Sequence, residues 1–199
     1  MSKLSREDAK LVASQVGLFD SPGAKMLEYR LEPFARSKNG ILGEHELLLV
    51  EISNPKLPNS VHSFFVKSTR DKTTSIGQLQ DGIFDEEAHF YNKIVPVLLK
   101  SYVGEKWSPR CFLARSNLLV FEDLRSQGYS IRENFPLSEI DIKSALFSLA
   151  TFHASSVLAE HRLGRKLSEL FPNAFREREF TRTITNSQRL AYLVSKPSS

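Results

Sequence analysis

The 199-residue chain has a single cysteine, Cys111. A lone thiol excludes an intrachain disulfide and points to a reducing compartment. No stretch approaches the roughly 18 uninterrupted apolar residues of a membrane span, and the opening MSKLSREDAK is too polar for a secretory signal. The expected location is therefore the cytosol, with no membrane partner. No internal repeat or low-complexity segment interrupts the sequence. A strong charge bias is missing too: 27 basic against 23 acidic residues leave a net charge of +4, too mild to specify an anionic partner. What remains, 41% apolar and 25% charged residues, is the composition of a soluble globular protein. The length suits one domain, or one lobe with part of a second.

Periodicity then divides the chain. Ser5 with Asp8 forms a capping-box pattern ahead of an apolar stripe of Leu11, Val12 and Val16, with Gly17 placed to end the helix. Three β runs follow, LEYRL, HELLLVEI and VHSFFVK, the last two separated by the turn-rich SNPKLPNS. They predict an antiparallel three-stranded sheet that needs a covering helix. After the polar loop TRDKTTSIGQLQDG, the segment IFDEEAHFYNKIVPVLL supplies that helix, with Ile83, Phe84, Ala88, Tyr91, Val95 and Leu98 at helical spacing and acids in the first turn. Pro96 predicts a kink or an early end. CFLA and NLLVF read as a further strand pair, and the chain leaves them through EDLRSQGYS. The most regular helix comes last, capped by Ser138 and Asp141 and lined by Ile142, Ala145, Leu146, Leu149, His153 and Val157. Beyond about residue 165 the sequence turns basic and irregular.

Three features carry chemistry in this order. Lys67 ends an apolar strand, Glu87 lies near the start of the next helix, and Glu122, Asp123 and Leu124 lead out of a buried strand. A strand-end lysine held by a helix carboxylate can aim its ammonium at nucleotide phosphates. The opposite charge keeps the lysine ionised and extended. A segment leaving the sheet beside it can offer backbone groups to an adenine ring. Singly, each feature has a plainer reading: a snorkelling edge lysine, a first turn that suits the helix dipole, an ordinary exit loop.

The phrases FFVKS, F-x-x-E-x-x-F-Y (Phe84, Glu87, Phe90, Tyr91), LLVFEDL and LATFHASS resemble those of the ecdysteroid kinase-like, or CHK kinase-like, family. That family belongs to the superfamily of choline kinases and aminoglycoside phosphotransferases. The resemblance runs from about residue 27 to 165. It implies an α+β, protein-kinase-like fold: an N-lobe antiparallel sheet with one covering helix, then the first helices of an incomplete C-lobe. The expected divisions are an N-terminal helical segment (1–26), the N-lobe and hinge (27–124) and a partial C-lobe (125–199). The family activity is ATP- and Mg²⁺-dependent phosphorylation of a hydroxyl on a small, ecdysteroid-like molecule. By resemblance Lys67 contacts phosphate, Glu87 is its partner, and Glu122, Asp123 and Leu124 form the hinge. Gly40 and Gly43 lie where a nucleotide-covering turn belongs, although two glycines three apart also suit a plain hairpin and no G-x-G-x-x-G is present.

The family's catalytic loop, H-G-D-x-x-x-x-N, does not occur. His153 precedes Ala-Ser-Ser, His161 precedes Arg-Leu, and no aspartate follows Asp141. No metal ligands are identified. The expectation is a truncated family member that binds nucleotide without turnover, or else a non-catalytic nucleotide- or protein-binding module. A helix deprived of its later neighbours would expose its apolar stripe and favour self-association. His153 is read as structural. Phe171, Phe175 and Phe180, interleaved with Arg176, Arg178, Arg182 and Arg189, offer a nucleic-acid reading. Glu177 and Glu179 weigh against it, and no nucleic-acid partner is expected.

Overall fold

A computed structural model describes residues 4–34, 43–69, 82–100, 102–130 and 136–175. The chain opens as its capping pattern dictates. The Ser5 hydroxyl accepts the Asp8 N–H, and the Asp8 carboxylate accepts the Ser5 N–H, at 3.1 and 3.0 Å. Two otherwise orphaned donors of helix Arg6–Gln15 (α1) are thereby satisfied. Its buried stripe is Ala9, Val12 and Ala13, continued by partly buried Val16, the spacing of one helical face. Leu11, expected within the stripe, falls off that face and is exposed.

Among the described residues, five strands form a single sheet: Lys25–Pro33 (β1), Glu44–Asn54 (β2), Leu57–Ser68 (β3), Cys111–Arg115 (β4) and Leu118–Glu122 (β5). Their order is β1-β2-β3-β5-β4, with every neighbouring pair antiparallel. The last strand pair therefore does not stand apart from the expected three strands. β5 reads LLVFE, apolar on both sides, and such a strand is stable only between two neighbours. It docks on β3, with Phe65 opposite Phe121 and Val66 opposite Val120. The turn between β2 and β3 is also tighter than SNPKLPNS suggested. Pro55 and Lys56 make the turn, with the Asn54 side chain accepting the Lys56 N–H at 3.0 Å. Pro58 is tolerated within β3 because pairing with β5 begins only at Phe64.

Alternation along the strands sends side chains to two faces. One face presents Leu48, Val50, Ile52, Phe64, Val66, Leu118 and Val120 to α1 and Phe112. The other presents Phe65, Leu119 and Phe121 to the expected covering helix, Ile83–His89 (α2), through Phe84. Two helices therefore cover the sheet, one per face. Beyond α2 the chain makes a π-helical turn, Phe90–Ile94, before continuing as Val95–Leu99 (α3). Pro96 lacks the N–H that an α-helical ladder needs, and the widened turn before it lets the helix run on past the expected break.

Ser138 and Asp141 cap Glu139–Leu163 (α4) with a second reciprocal box, and left-handed Gly164 closes it. The C-terminal half of α4 rests on α3, where Ser155 and Ala159 are buried and Arg162 donates to the Val97 carbonyl at 3.1 Å. The stripe of Ile142, Leu146, Leu149 and Val157 is exposed. By length and composition alone this helix is apolar enough to cross a membrane, although serine and threonine interrupt its apolar run. Ser144, Ser148, Thr151, Ser155 and Ser156 turn their hydroxyls back onto carbonyls of their own helix, which masks much of that polarity.

The chain divides into two units, Met1–Gly164 and Arg165–Ser199. In the second, Leu167–Leu170 (α5) leads into a short turn, Pro172–Phe175, with the Phe171 N–H bonded to the Leu167 carbonyl at 2.8 Å. Arg176, Arg178, Phe180, Arg182 and Arg189 lie outside the described residues.

Candidate nucleotide-binding site

β3 alternates Ser63, Phe65 and Lys67 onto the α2 face, so the strand delivers the lysine beside the helix that carries Glu87. Lys67 Nζ donates to Glu87 Oε2 at 2.5 Å. The two side chains are 21% and 25% exposed, so the pair is shielded yet reachable from solvent. The ammonium also lies 5.3 Å from the centroid of the buried Phe84 ring, whose face attracts a cation. Gly43 packs against the lysine stem at a φ of +91°. A Cβ there would come within 3.1 Å of the Ser68 carbonyl and 3.3 Å of Phe84, so both conformation and space call for glycine. Gly40 lies outside the described residues.

Tyr91 sits one helical turn beyond Glu87, its ring edge-on to Phe121 at 4.8 Å. Burial pushes its phenol upward, and the Glu87 charge adds to the effect. Burial likewise pushes the Cys111 thiol up to about 11, so at neutral pH it is a packed thiol and not a nucleophile.

The exit segment is differently occupied. Glu122 forms an ion pair with Lys106, accepts the Arg110 N–H at 2.5 Å and accepts Gln127 Nε2 at 2.8 Å. Burial alone would raise its carboxyl, but these partners together hold it below the usual range. Asp123 is buried, accepts the Ser63 hydroxyl at 2.9 Å and caps the short helix Leu124–Gln127. Its carbonyl accepts from both the Ser126 N–H and the Ser126 hydroxyl. Leu124 opens the short helix, its carbonyl taken by the N–H groups of Gly128 and Tyr129. Lys67, Glu87 and Gly43 thus converge. Glu122, Asp123 and Leu124 lie further along the sheet: Glu122 pairs with Phe64, three residues from Lys67, or roughly 10 Å along the strand.

Sequence reasoning missed Phe34, Phe65 and Arg125, a contact group centred on Phe65, two residues before Lys67 on β3. The Phe34 ring meets Phe65 edge-on at 4.8 Å, and the Arg125 guanidinium lies 3.9 Å over Phe34. Phe65 was legible in principle from the alternation that placed Lys67. No local pattern marks Arg125. His153, read as structural, is exposed, with its ring 5.5 Å from Phe152. Among the described residues, no group of three or more His, Cys, Asp or Glu could hold a metal ion. Glu122 and Asp123 are committed to other partners and Asp141 to its helix cap, so the chain provides no fit for Mg²⁺ there.

An antiparallel sheet whose strand-borne lysine pairs with a helix glutamate, and whose last central strand exits toward a long helix, defines an α+β chain with a kinase-like N-lobe and part of a C-lobe. The chain belongs to the Ecdysteroid kinase-like family, whose sequence model matches residues 47–195. Lys67, Glu87 and the exit segment fall within that match; Gly40 and Gly43 precede it. No curated protein and no solved structure gives a significant match.

Proposed function

We propose that the face bearing Lys67 binds ATP, the lysine contacting the phosphates and Glu87 holding it in place. The observation that carries this reading is the 2.5 Å Lys67–Glu87 pair at the edge of a half-buried apolar face. A polyphosphate is the ligand that such a shielded but accessible ammonium suits. Glu122, Asp123 and Leu124 border the base end of the same site, and Gly43 keeps the space beside Lys67 open. Family membership supports ATP as the nucleotide and a hydroxyl of a small, ecdysteroid-like molecule as the acceptor in a complete enzyme. These 199 residues supply neither the catalytic loop motif nor an aspartate after Asp141, so we assign them nucleotide binding without phosphoryl transfer. A non-catalytic nucleotide- or protein-binding module is the second reading, favoured by the exposed α4 stripe, which suits contact with another copy of the chain. With a single cysteine and only a mild charge excess, we place the protein in the cytoplasm without a nucleic-acid partner.

Calorimetric titration of ATP into wild type and Lys67→Ala tests the assignment. The variant is expected to bind at least tenfold more weakly, about 1.4 kcal/mol. Equal affinities, or no binding by wild type, overturn the reading.

A further inference from the structure

Arg125 is held at both ends. At its root, Asp123 Oδ1 accepts the Arg125 backbone N–H at 3.1 Å and its Nε at 3.4 Å, while Asp123 Oδ2 is occupied by the Ser63 hydroxyl. At its tip, one guanidinium nitrogen donates to the Phe34 carbonyl at 2.9 Å and the guanidinium carbon lies 3.9 Å over the Phe34 ring. Phe34 in turn leans on Phe65, and its N–H donates to the His45 carbonyl at 3.2 Å. Arg125 follows β5, whereas Phe34 follows β1. These strands lie three positions apart in the sheet, roughly 14 Å. Arg125 and Phe34 therefore reach toward each other and meet beside Phe65, on the face that Lys67 shares.

The core does not require this contact, since the Arg125 side chain is 40% exposed. Its effect is to fix the Phe34 ring, set at 74° to Phe65, and the guanidinium itself, beside a β3 residue two positions from Lys67. Only arginine combines the donor fork with a plane that stacks; lysine in its place would keep the charge and lose the plane. A wall fixed beforehand lowers the ordering cost of binding a flat ring.

We propose that Arg125 is a positioning residue of the ATP site, holding Phe34 against Phe65 as a wall for the base while Lys67 attends to the phosphates. The inference rests on the nucleotide reading above. Two ligands separate the two ends: ATP, which has a base, and inorganic tripolyphosphate, which has none. Both are titrated into the full chain. Arg125→Ala is expected to weaken ATP binding roughly five- to tenfold, the scale of one lost stacking and ordering contact, with tripolyphosphate affinity unchanged. Arg125→Lys restores little of the loss, and Lys67→Ala weakens both ligands. Phe34→Leu, which keeps the carbonyl acceptor, gives the same selective loss and serves as the second variant if Arg125→Ala folds poorly. An Arg125 variant that binds ATP like wild type, or that loses both ligands equally, overturns the inference and leaves the nucleotide reading standing. A wild type that binds neither ligand overturns the nucleotide reading, and the inference with it.

Discussion

The two faces of the sheet are made from the same strands and differ sharply in how they are closed. Toward α1, Leu48, Val50, Ile52, Phe64, Val66, Leu118 and Val120 are all buried. Toward α2, Leu47, Leu49, Phe65 and Lys67 are only half-buried, because α2 covers mainly the part around Leu119 and Phe121. The fastenings differ as well. α1 is tied to β4 and the loop before it by Arg115 to Asp8 at 2.5 and 3.2 Å, by Gln15 to the Phe112 carbonyl, and by Arg110 to the Gln15 carbonyl. The open face instead carries the Lys67–Glu87 pair and, beside Phe65, the Arg125–Phe34 contact. The contrast separates two duties. The α1 face removes apolar area from water and supplies stability, whereas the open face holds charged and aromatic groups where a ligand can reach them.

Leu47 and Leu48 put this contrast to its largest test, being adjacent residues on opposite faces. Leu48→Ala is expected to cost about 3 kcal/mol, since its side chain is fully enclosed and would leave a cavity. Leu47→Ala, at a side chain only partly buried, should cost about 1 kcal/mol and should also weaken ATP binding. Urea denaturation measures the first quantity and calorimetry the second. Equal losses of stability in the two variants would erase the distinction between the faces.

Asp8 tests the fastening of α1, with a smaller effect. Burial alone would raise its carboxyl, but the Ser5 N–H and Arg115 outweigh burial and hold it below its ordinary value of 3.8. A depressed carboxyl stabilises the fold above its unfolded pKa, and that contribution is lost as pH falls through the folded pKa. Stability should therefore be flat near neutrality and decline below about pH 4. Asp8→Asn is expected to cost about 1 to 2 kcal/mol at pH 7, through loss of the charge that Arg115 pairs with and weakening of the Ser5 N–H bond. The variant should also show a shallower acid decline. Parallel curves for wild type and variant would mean that the Asp8–Arg115 pair contributes nothing to holding α1.

The contrast also shows where the sequence was informative. Both capping boxes were legible because their bonds are local: Ser5 with Asp8, and Ser138 with Asp141, satisfy donors within one turn. Lys67 and Glu87 were legible because strand alternation and helix spacing each fix a direction, and the family's phrases supplied the pairing. What was lost lay at longer range. The joining of β5 to β3 spans more than fifty residues, and nothing local in NLLVF names its partner. The helix α1 and its Val12 were read, but its place over the sheet was not, because the small residues Ala9 and Ala13 complete the contact and Leu11 does not. Arg125 was invisible because its role depends on Phe34, which lies 91 residues earlier.

The smallest expected effect on stability comes from α4, where the contrast between covered and open surface reaches its limit. Leu146 and Leu149 are 59% and 50% exposed, so replacing both by glutamine, a good helix former, should change stability by less than about 0.5 kcal/mol. The effect should appear in association instead. Glu139 and Asp141 lie at one end of α4, and His161 and Arg162 at the other. Two copies laid antiparallel would thus bring opposite charges together while burying both stripes. Sedimentation velocity should show wild type gaining mass with concentration and the double variant remaining monomeric. A wild type that stays monomeric at the highest concentration reached would show that this open face, unlike the one bearing Lys67, is tolerated by the fold without a partner.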